Sequence, residues 1–280
     1  MNSLTRVAVG FIACAFAAPA FAADLPMPVK APPLAAPYNW SGFYAGANAG
    51  YGWDPASASF NPGAFATTIL EPLTGGTYVV TGSSGPVNLS VNPQGVLGGI
   101  QTGYNWQSGA TVYGIEADFD GSAIRGSTAA PFFVNGTIGG DLADFTGNVG
   151  LTQKVDYFGT VRGRLGWATN NVLLYGTGGF AWGHVTTTFN TSNITEAMAG
   201  QFTPAQLAAL QVSASSSSLR AGFAVGAGVE WALLRNWSIR GEYLFVDLVG
   251  SGALAIPGGS ASFSYLPIQV VHFGFNYQFH

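Results

Sequence analysis

Residues 268–280 constrain the fold more tightly than any other stretch of the chain. Val271, Phe273, Phe275, Tyr277 and Phe279 alternate with Val270, His272, Gly274, Asn276 and Gln278, the period of two that a pleated strand imposes. One face is aromatic and the other largely polar. In a soluble sheet the aromatic face would turn into a core; in a closed transmembrane barrel it would turn outward to lipid and leave the polar face to the lumen.

Charge content separates these alternatives. Only 8% of the residues are charged and 48% are hydrophobic, whereas soluble domains devote about a quarter of their residues to charge. A water-facing surface of ordinary charge density cannot be built from this set, and an aromatic content of 14% excludes a disordered chain. Residues 1–22 read as a secretory signal, with Arg6 as the positive region, an apolar run from Val7 to Ala18, and Ala20-Phe21-Ala22 as the cleavage motif. Cleavage before Ala23 would remove the one cysteine, Cys14, and with it any thiolate or disulfide chemistry. It would also take the formal net charge from -4 to -5, since Arg6 is the only charge removed; so mild a balance gives no reason to expect nucleic acid. Residues 23–37 carry five prolines (Pro26, Pro28, Pro32, Pro33 and Pro37) and read as an extended periplasmic linker. Beyond the signal no run of about 18 apolar residues occurs, so spanning helices are not expected.

Residues 38–280 read as the barrel. The first strand, residues 40–53, places Phe43, Tyr51 and Trp53 on one face and glycines, Tyr44 and Asn48 on the other; residues 95–106 repeat the pattern and end on Trp106. Residues 111–120 oppose Tyr113, Ile115, Ala117 and Phe119 to Glu116, Asp118 and Asp120. In residues 151–167, Val155, Tyr157, Val161, Leu165 and Trp167 oppose Lys154, Asp156, Arg162 and Arg164. Residues 172–183 form a fifth strand whose phase is ambiguous, because Leu173-Leu174-Tyr175 is apolar on both sides. Residues 219–231 set Phe223 and Trp231 against Arg220 and Glu230, and residues 237–246 set Tyr243 against Arg240 and Glu242. Long connections are expected at residues 54–94, 121–150, 184–218 and from 247, alternating with short turns at 107–110, 168–171 and 232–236. Within the third, Thr203-Pro204-Ala205-Gln206 is a capping box with proline at the first helical position, predicting a short helix.

Strict long-short alternation is what an even-stranded meander with both termini on the periplasmic side produces. The charges Glu116, Asp118, Lys154, Asp156, Arg162, Arg164, Arg220, Glu230, Arg240 and Glu242 all share the face opposite the aromatics. Turned to lipid at mid-membrane, each Arg or Lys would cost about 2–4 kcal/mol; enclosed, they can pair. The lipid-facing set is then Phe43, Tyr51, Trp53, Trp106, Tyr157, Trp167, Phe223, Trp231, Tyr243, Phe273, Phe275, Tyr277 and Phe279. The expected fold is all-β, an eight-stranded antiparallel up-and-down transmembrane β-barrel with long extracellular loops and short periplasmic turns.

Several stretches also resemble a known family. Ala23-Asp24-Leu25-Pro26, Tyr38-Asn39-Trp40-Ser41-Gly42-Phe43-Tyr44-Ala45-Gly46, Gly50-Tyr51-Gly52-Trp53, Tyr175-Gly176-Thr177-Gly178-Gly179-Phe180-Ala181-Trp182-Gly183 and the terminal strand resemble the outer-membrane immunogenic protein family of small porin-like barrels in Gram-negative bacteria. The resemblance implies an outer-membrane location and roles in envelope integrity and surface exposure. Its implied partners are outer-membrane lipids, lipopolysaccharide and the barrel-assembly machinery. The family's usual terminal aromatic residue is here followed by His280.

No residue pattern indicates catalysis, a cofactor or a metal. His184, His272 and His280 are too scattered to converge on an ion, and Gly176-Thr177-Gly178-Gly179 lies within a strand and opens no helix, so it fails as a phosphate loop. Three roles are open: a structural and surface-exposed barrel, acting as a monomer; a small low-conductance porin; and a loop-based binder of a host surface or of a ligand such as haemin.

Overall fold

The computed structural model describes residues 38–279 except 54–56, 61–64, 71–76, 84–86, 139–140, 197–202, 257–258 and 265–266. The expected signal, its cleavage site, Cys14, the proline linker and His280 lie outside the described residues.

Eight long strands follow one another antiparallel: β1 (Gly42–Trp53), β2 (Gln94–Ser108), β3 (Thr111–Ile138), β4 (Asp141–Thr169), β5 (Val172–Glu196), β6 (Ser213–Ala232), β7 (Trp237–Asp247) and β8 (Ile268–Phe279). Each pairs with the next, and β1 pairs with β8 from Phe43 opposite Phe279 to Trp53 opposite Gln269, so the sheet closes on itself. Closure leaves none of these strands with an unpaired edge along the shared height of the wall. Short turns join β2 to β3, β4 to β5 and β6 to β7; Gly109 and Asn170 take positive φ there (62° and 53°), as tight turns demand.

At the opposite end the structure departs from the sequence expectation. Residues 121–138 and 141–150, expected as loop, are paired strand: β3 and β4 rise together as a ribbon to Ile138 opposite Asp141. β5 likewise continues to Glu196 and β6 begins at Ser213, paired from Asn190 opposite Ser213. Pro131 sits in this ribbon opposite Asn148, in a stretch of β3 that β2 no longer reaches, and an edge is where a sheet tolerates proline. Within the first connection Ser57–Phe60 pairs with Val87–Ser90 and Phe65–Leu70 with Thr77–Ser83; the latter also joins the tip of β3. Ser251–Ile256 and Gly259–Ser264 form a hairpin between β7 and β8.

The predicted helix is present as α1 (Pro204–Ala209). The Thr203 hydroxyl accepts from the Gln206 amide, and the Gln206 side chain accepts from the Thr203 amide at 2.8 Å. Leu207 and Leu210 pack against Val134, Phe145 and Ile194 of the ribbons.

Candidate functional site

The interior is organised in three tiers, each strand contributing alternate residues to it. Nearest the short turns, Trp40, Val112, Leu173, Tyr175 and Ala232 make an apolar floor. Nearest the long connections, residues including Leu89, Leu97, Ile124, Val155, Phe158, Val185, Phe189, Leu244 and Val270 make an apolar cap. Between them lies the charged tier, whose carboxylates and guanidiniums are at most 4% exposed.

Arg162 is its hub. Its Nη1 donates to Glu242 Oε1 at 2.7 Å, its Nη2 to Glu116 Oε1 at 2.8 Å and Asp118 Oδ2 at 2.7 Å, and its Nε to Thr160 Oγ1 at 2.7 Å. Arg240 bridges Glu116 and Glu242 from the opposite wall. Arg164 donates to Glu230 Oε2 at 2.5 Å and lies 3.9 Å over the Tyr175 ring, a cation–π contact in a desolvated setting. From Glu230 a hydrogen-bond chain crosses the lumen: Asn276 Nδ2 donates to Glu230 Oε1 at 2.9 Å, Gln101 Nε2 to Asn276 Oδ1 at 2.7 Å, and Asn48 Nδ2 to Gln101 Oε1 at 2.9 Å. Tyr44 Oη donates to Glu116 at 2.5 Å. Two glycines make room for the rings: a Cβ on Gly103 or on Gly228 would come within about 2.5 Å of Tyr44 or Tyr175 respectively.

Seven of the ten charges expected in the lumen are therefore brought together: Glu116, Asp118, Arg162, Arg164, Glu230, Arg240 and Glu242. Three are not. Lys154 and Asp156 point outward because β4 carries an extra residue between Val155 and Tyr157 relative to β5, and a bulge of one residue reverses every side chain beyond it. Val155, expected outside, is accordingly buried in the cap. Arg220 keeps the inner phase but stands near the long-connection end, where its Nε bonds Ser218 Oγ at 3.0 Å, away from the hub. The fifth strand's phase is resolved: Leu173 and Tyr175 face in and Leu174 faces out.

The sequence pattern set His272 on the polar face of the last strand and Asp120 on the charged face of the third, but neither was counted in the network. Both are fully enclosed, with His272 Nε2 3.7 Å from Asp120 Oδ2 and the imidazole parallel to Phe158. The inner phase of β8 was the available signal for His272. Among the described residues no group of three or more His, Cys, Asp or Glu is arranged to hold a metal ion.

On the outer wall Phe43, Tyr51, Trp106, Trp167, Phe223, Trp231, Tyr243, Phe273, Phe275 and Phe279 are exposed. Trp53, Tyr157 and Tyr277 also point out but are partly covered by neighbouring rings. The rings gather at two heights. One belt holds Trp106–Tyr113 (5.8 Å), Trp237–Tyr277 (4.8 Å) and Phe43–Phe279 (5.5 Å); the other holds Phe119–Tyr157 (5.6 Å), Phe180–Trp182 (6.0 Å) and Phe223–Phe245 (6.3 Å). From Tyr157 to Trp167 is ten residues of β4, about 25 Å along the barrel axis at ~3.3 Å per residue and a tilt of ~40°. That is the height of an apolar band between aromatic girdles in a transmembrane barrel.

Residues 11–279 match the outer membrane protein beta-barrel domain. The chain belongs to that family. It is 34% identical over 282 aligned residues to the 31 kDa outer-membrane immunogenic protein of Brucella melitensis, covering 99% of this chain and 100% of that protein. It is 27% identical to the 25 kDa outer-membrane immunogenic protein of Brucella canis over 94% of this chain and 92% of that one. Among solved structures the outer membrane protein OprG of Pseudomonas aeruginosa aligns over 87% of this chain and 98% of its own, at 14% identity and a TM-score of 0.42. This family member is thus an outer-membrane β-barrel.

Proposed function

We propose that this barrel is a closed structural element of the outer membrane that displays a surface outside the cell, and that it conducts neither ions nor small solutes. The observation that carries the reading is the three-tiered lumen: paired side chains at most 4% exposed, sealed above and below by apolar residues. A conducting path needs continuous water along polar groups, and the apolar cap and floor interrupt it. In planar bilayers the protein is expected to give no discrete conductance steps. Steps whose size changes when Arg162 and Arg164 become Gln would overturn the reading in favour of a small porin.

The display half of the proposal is supported by the ribbons. Above the outer belt the wall carries hydroxyls, with Thr186 paired to Ser217 at 2.9 Å, Thr188 to Ser215 at 3.1 Å and Thr146 to Thr195 at 2.9 Å. A water-facing sheet satisfies its side chains in this way, and relatives named as immunogenic outer-membrane proteins accord with an exposed surface. In a Cys14→Ser background, Ala205→Cys in α1 is expected to react with a membrane-impermeant maleimide on intact cells, and Leu234→Cys in the turn between β6 and β7 only after lysis. Labelling of Leu234→Cys on intact cells would reverse the orientation.

A further inference from the structure

The distribution of basic residues contains one pairing that the lumen does not explain. The chain has nine Lys and Arg; Arg6 and Lys30 precede the described residues. Arg162, Arg164 and Arg240 are enclosed in the hub, Arg220 follows the inner phase, and Arg235 lies in the turn between β6 and β7. The two that remain, Arg125 and Lys154, both point outward from the wall and are direct cross-strand partners on β3 and β4.

Like charges directly opposite on one face of an antiparallel pair repel, so this pairing disfavours the bare sheet. The irregularity at Asp156 is what puts Lys154 there, since without the extra residue it would face the lumen. Asp156 then holds the lysine in place: it pairs with the Lys154 ammonium, while its Oδ2 meets His184 Nδ1 at 2.9 Å and Thr186 Oγ1 at 3.2 Å. An ammonium has three donors, and the Lys154 side chain is still 49% exposed. With Asp156 counted against Arg125 and Lys154 the patch keeps one net positive charge.

Its height is set by Tyr157, which meets Phe119 at a tilt (5.6 Å) and stacks with His184 (5.4 Å) in the outer aromatic belt. Lys154 pairs with Thr186 where Tyr157 pairs with His184, two strand steps further out once the extra residue is discounted, about 5 Å beyond the belt along the barrel axis at ~3.3 Å per residue and a ~40° tilt. The polar layer outside the hydrocarbon is roughly 5–8 Å deep on each side. Both cations, with their long side chains, therefore stand at headgroup depth in the outer leaflet.

We propose that Arg125 and Lys154, steadied by Asp156 and His184, form a site on the outer wall for the phosphate groups of a phosphorylated glycolipid headgroup. A phosphate between the two cations converts their repulsion into two charge-assisted contacts, and guanidinium binds phosphate through paired donors. The hydroxyl row of Thr186, Ser217, Thr188 and Ser215 continues outward on the adjoining strands and supplies the donors and acceptors that sugar hydroxyls match. This site depends on the outer face of the wall and not on whether the lumen conducts.

The test uses folded full-length protein extracted into zwitterionic detergent, freed of lipid, and titrated with lipopolysaccharide under native mass spectrometry. Each of Arg125→Gln and Lys154→Gln is expected to weaken binding about tenfold, and the double variant more. Lys154→Arg keeps the affinity and Arg235→Gln, a cation at the other end of the barrel, leaves it unchanged. Lipopolysaccharide stripped of its phosphates binds the unaltered protein no better than intact lipopolysaccharide binds the double variant. The proposal is overturned if the double variant binds within threefold of the unaltered protein, if the phosphate-free lipid binds equally well, or if phosphatidylglycerol competes on equal terms. Heat-dependent gel mobility reports folding of each variant. Should the double variant not fold, the single variants carry the test with the salt dependence, and an affinity insensitive to salt overturns the proposal.

Discussion

Arg162→Met is expected to destabilise the folded barrel by about 3–5 kcal/mol, read as a shift of the urea midpoint in lipid vesicles and as loss of the fast-migrating folded band. The size follows from what the substitution leaves behind. Glu116, Asp118 and Glu242 each give a carboxylate oxygen to this guanidinium within 2.8 Å, and all three are closed off from water. Their attraction to Arg162 offsets the cost of burying four charges; without it three negative groups face one another, with Arg240 reaching only Glu116 and Glu242. Arg162→Lys restores part of the loss, because one ammonium cannot span three acceptors as a planar fork does. The informative control removes the partners too: Arg162→Met with Glu116→Gln, Asp118→Asn and Glu242→Gln is expected to recover most of the stability, since neutral polar groups cost far less to enclose than unpaired charges. A quadruple variant as unstable as Arg162→Met alone would mean that shape, not charge pairing, sets the tier.

The features that were legible in the sequence are those that local alternation determines. Phe273, Phe275 and Tyr277 could be sided against His272, Gly274 and Asn276 because β8 keeps one phase from end to end, and the same holds for Phe223 to Trp231 in β6. Seven hub charges followed from that rule alone. The rule failed where one residue breaks the period: nothing in Lys154-Val155-Asp156-Tyr157 marks a bulge, since both phases offer one apolar and one charged set, and the choice is made by the register that β5 imposes. It was silent in β5, where Leu173 and Leu174 are equally apolar and only closure against β4 and β6 decides which turns in. The ribbons at the long-connection end were hidden for another reason. Their residues are small, hydroxylated and interrupted by Gly and Pro, a composition shared with loops, and what makes them strands is pairing with partners far along the chain, such as Thr186 with Ser217. The apolar cap was not expected because Leu97, Leu244 and Val270 occupy the inner phase, where a water-filled lumen would have polar groups.

Val161→Arg carries the second large effect, and it isolates the sidedness of the wall from the chemistry of its interior. Val161 and Arg162 are neighbours in β4, yet the first is 51% exposed and the second 1%. Val161 lies four residues from Tyr157 and six from Trp167, close to the middle of the apolar band. An arginine there has no enclosed carboxylate to meet and must face hydrocarbon, at a cost of about 2–4 kcal/mol that falls to about 0–1 near the interfaces. The expected series in lipid vesicles is therefore a large destabilisation for Val161→Arg and a small one for Trp167→Arg at the belt. In detergent micelles, whose polar surface the side chain reaches more readily, the same series flattens. This medium dependence is what a packed soluble core could not produce, because a core residue loses the same contacts in any solvent. Equal destabilisation at Val161 and Trp167, in vesicles and micelles alike, would mean that the outer rings do not meet acyl chains.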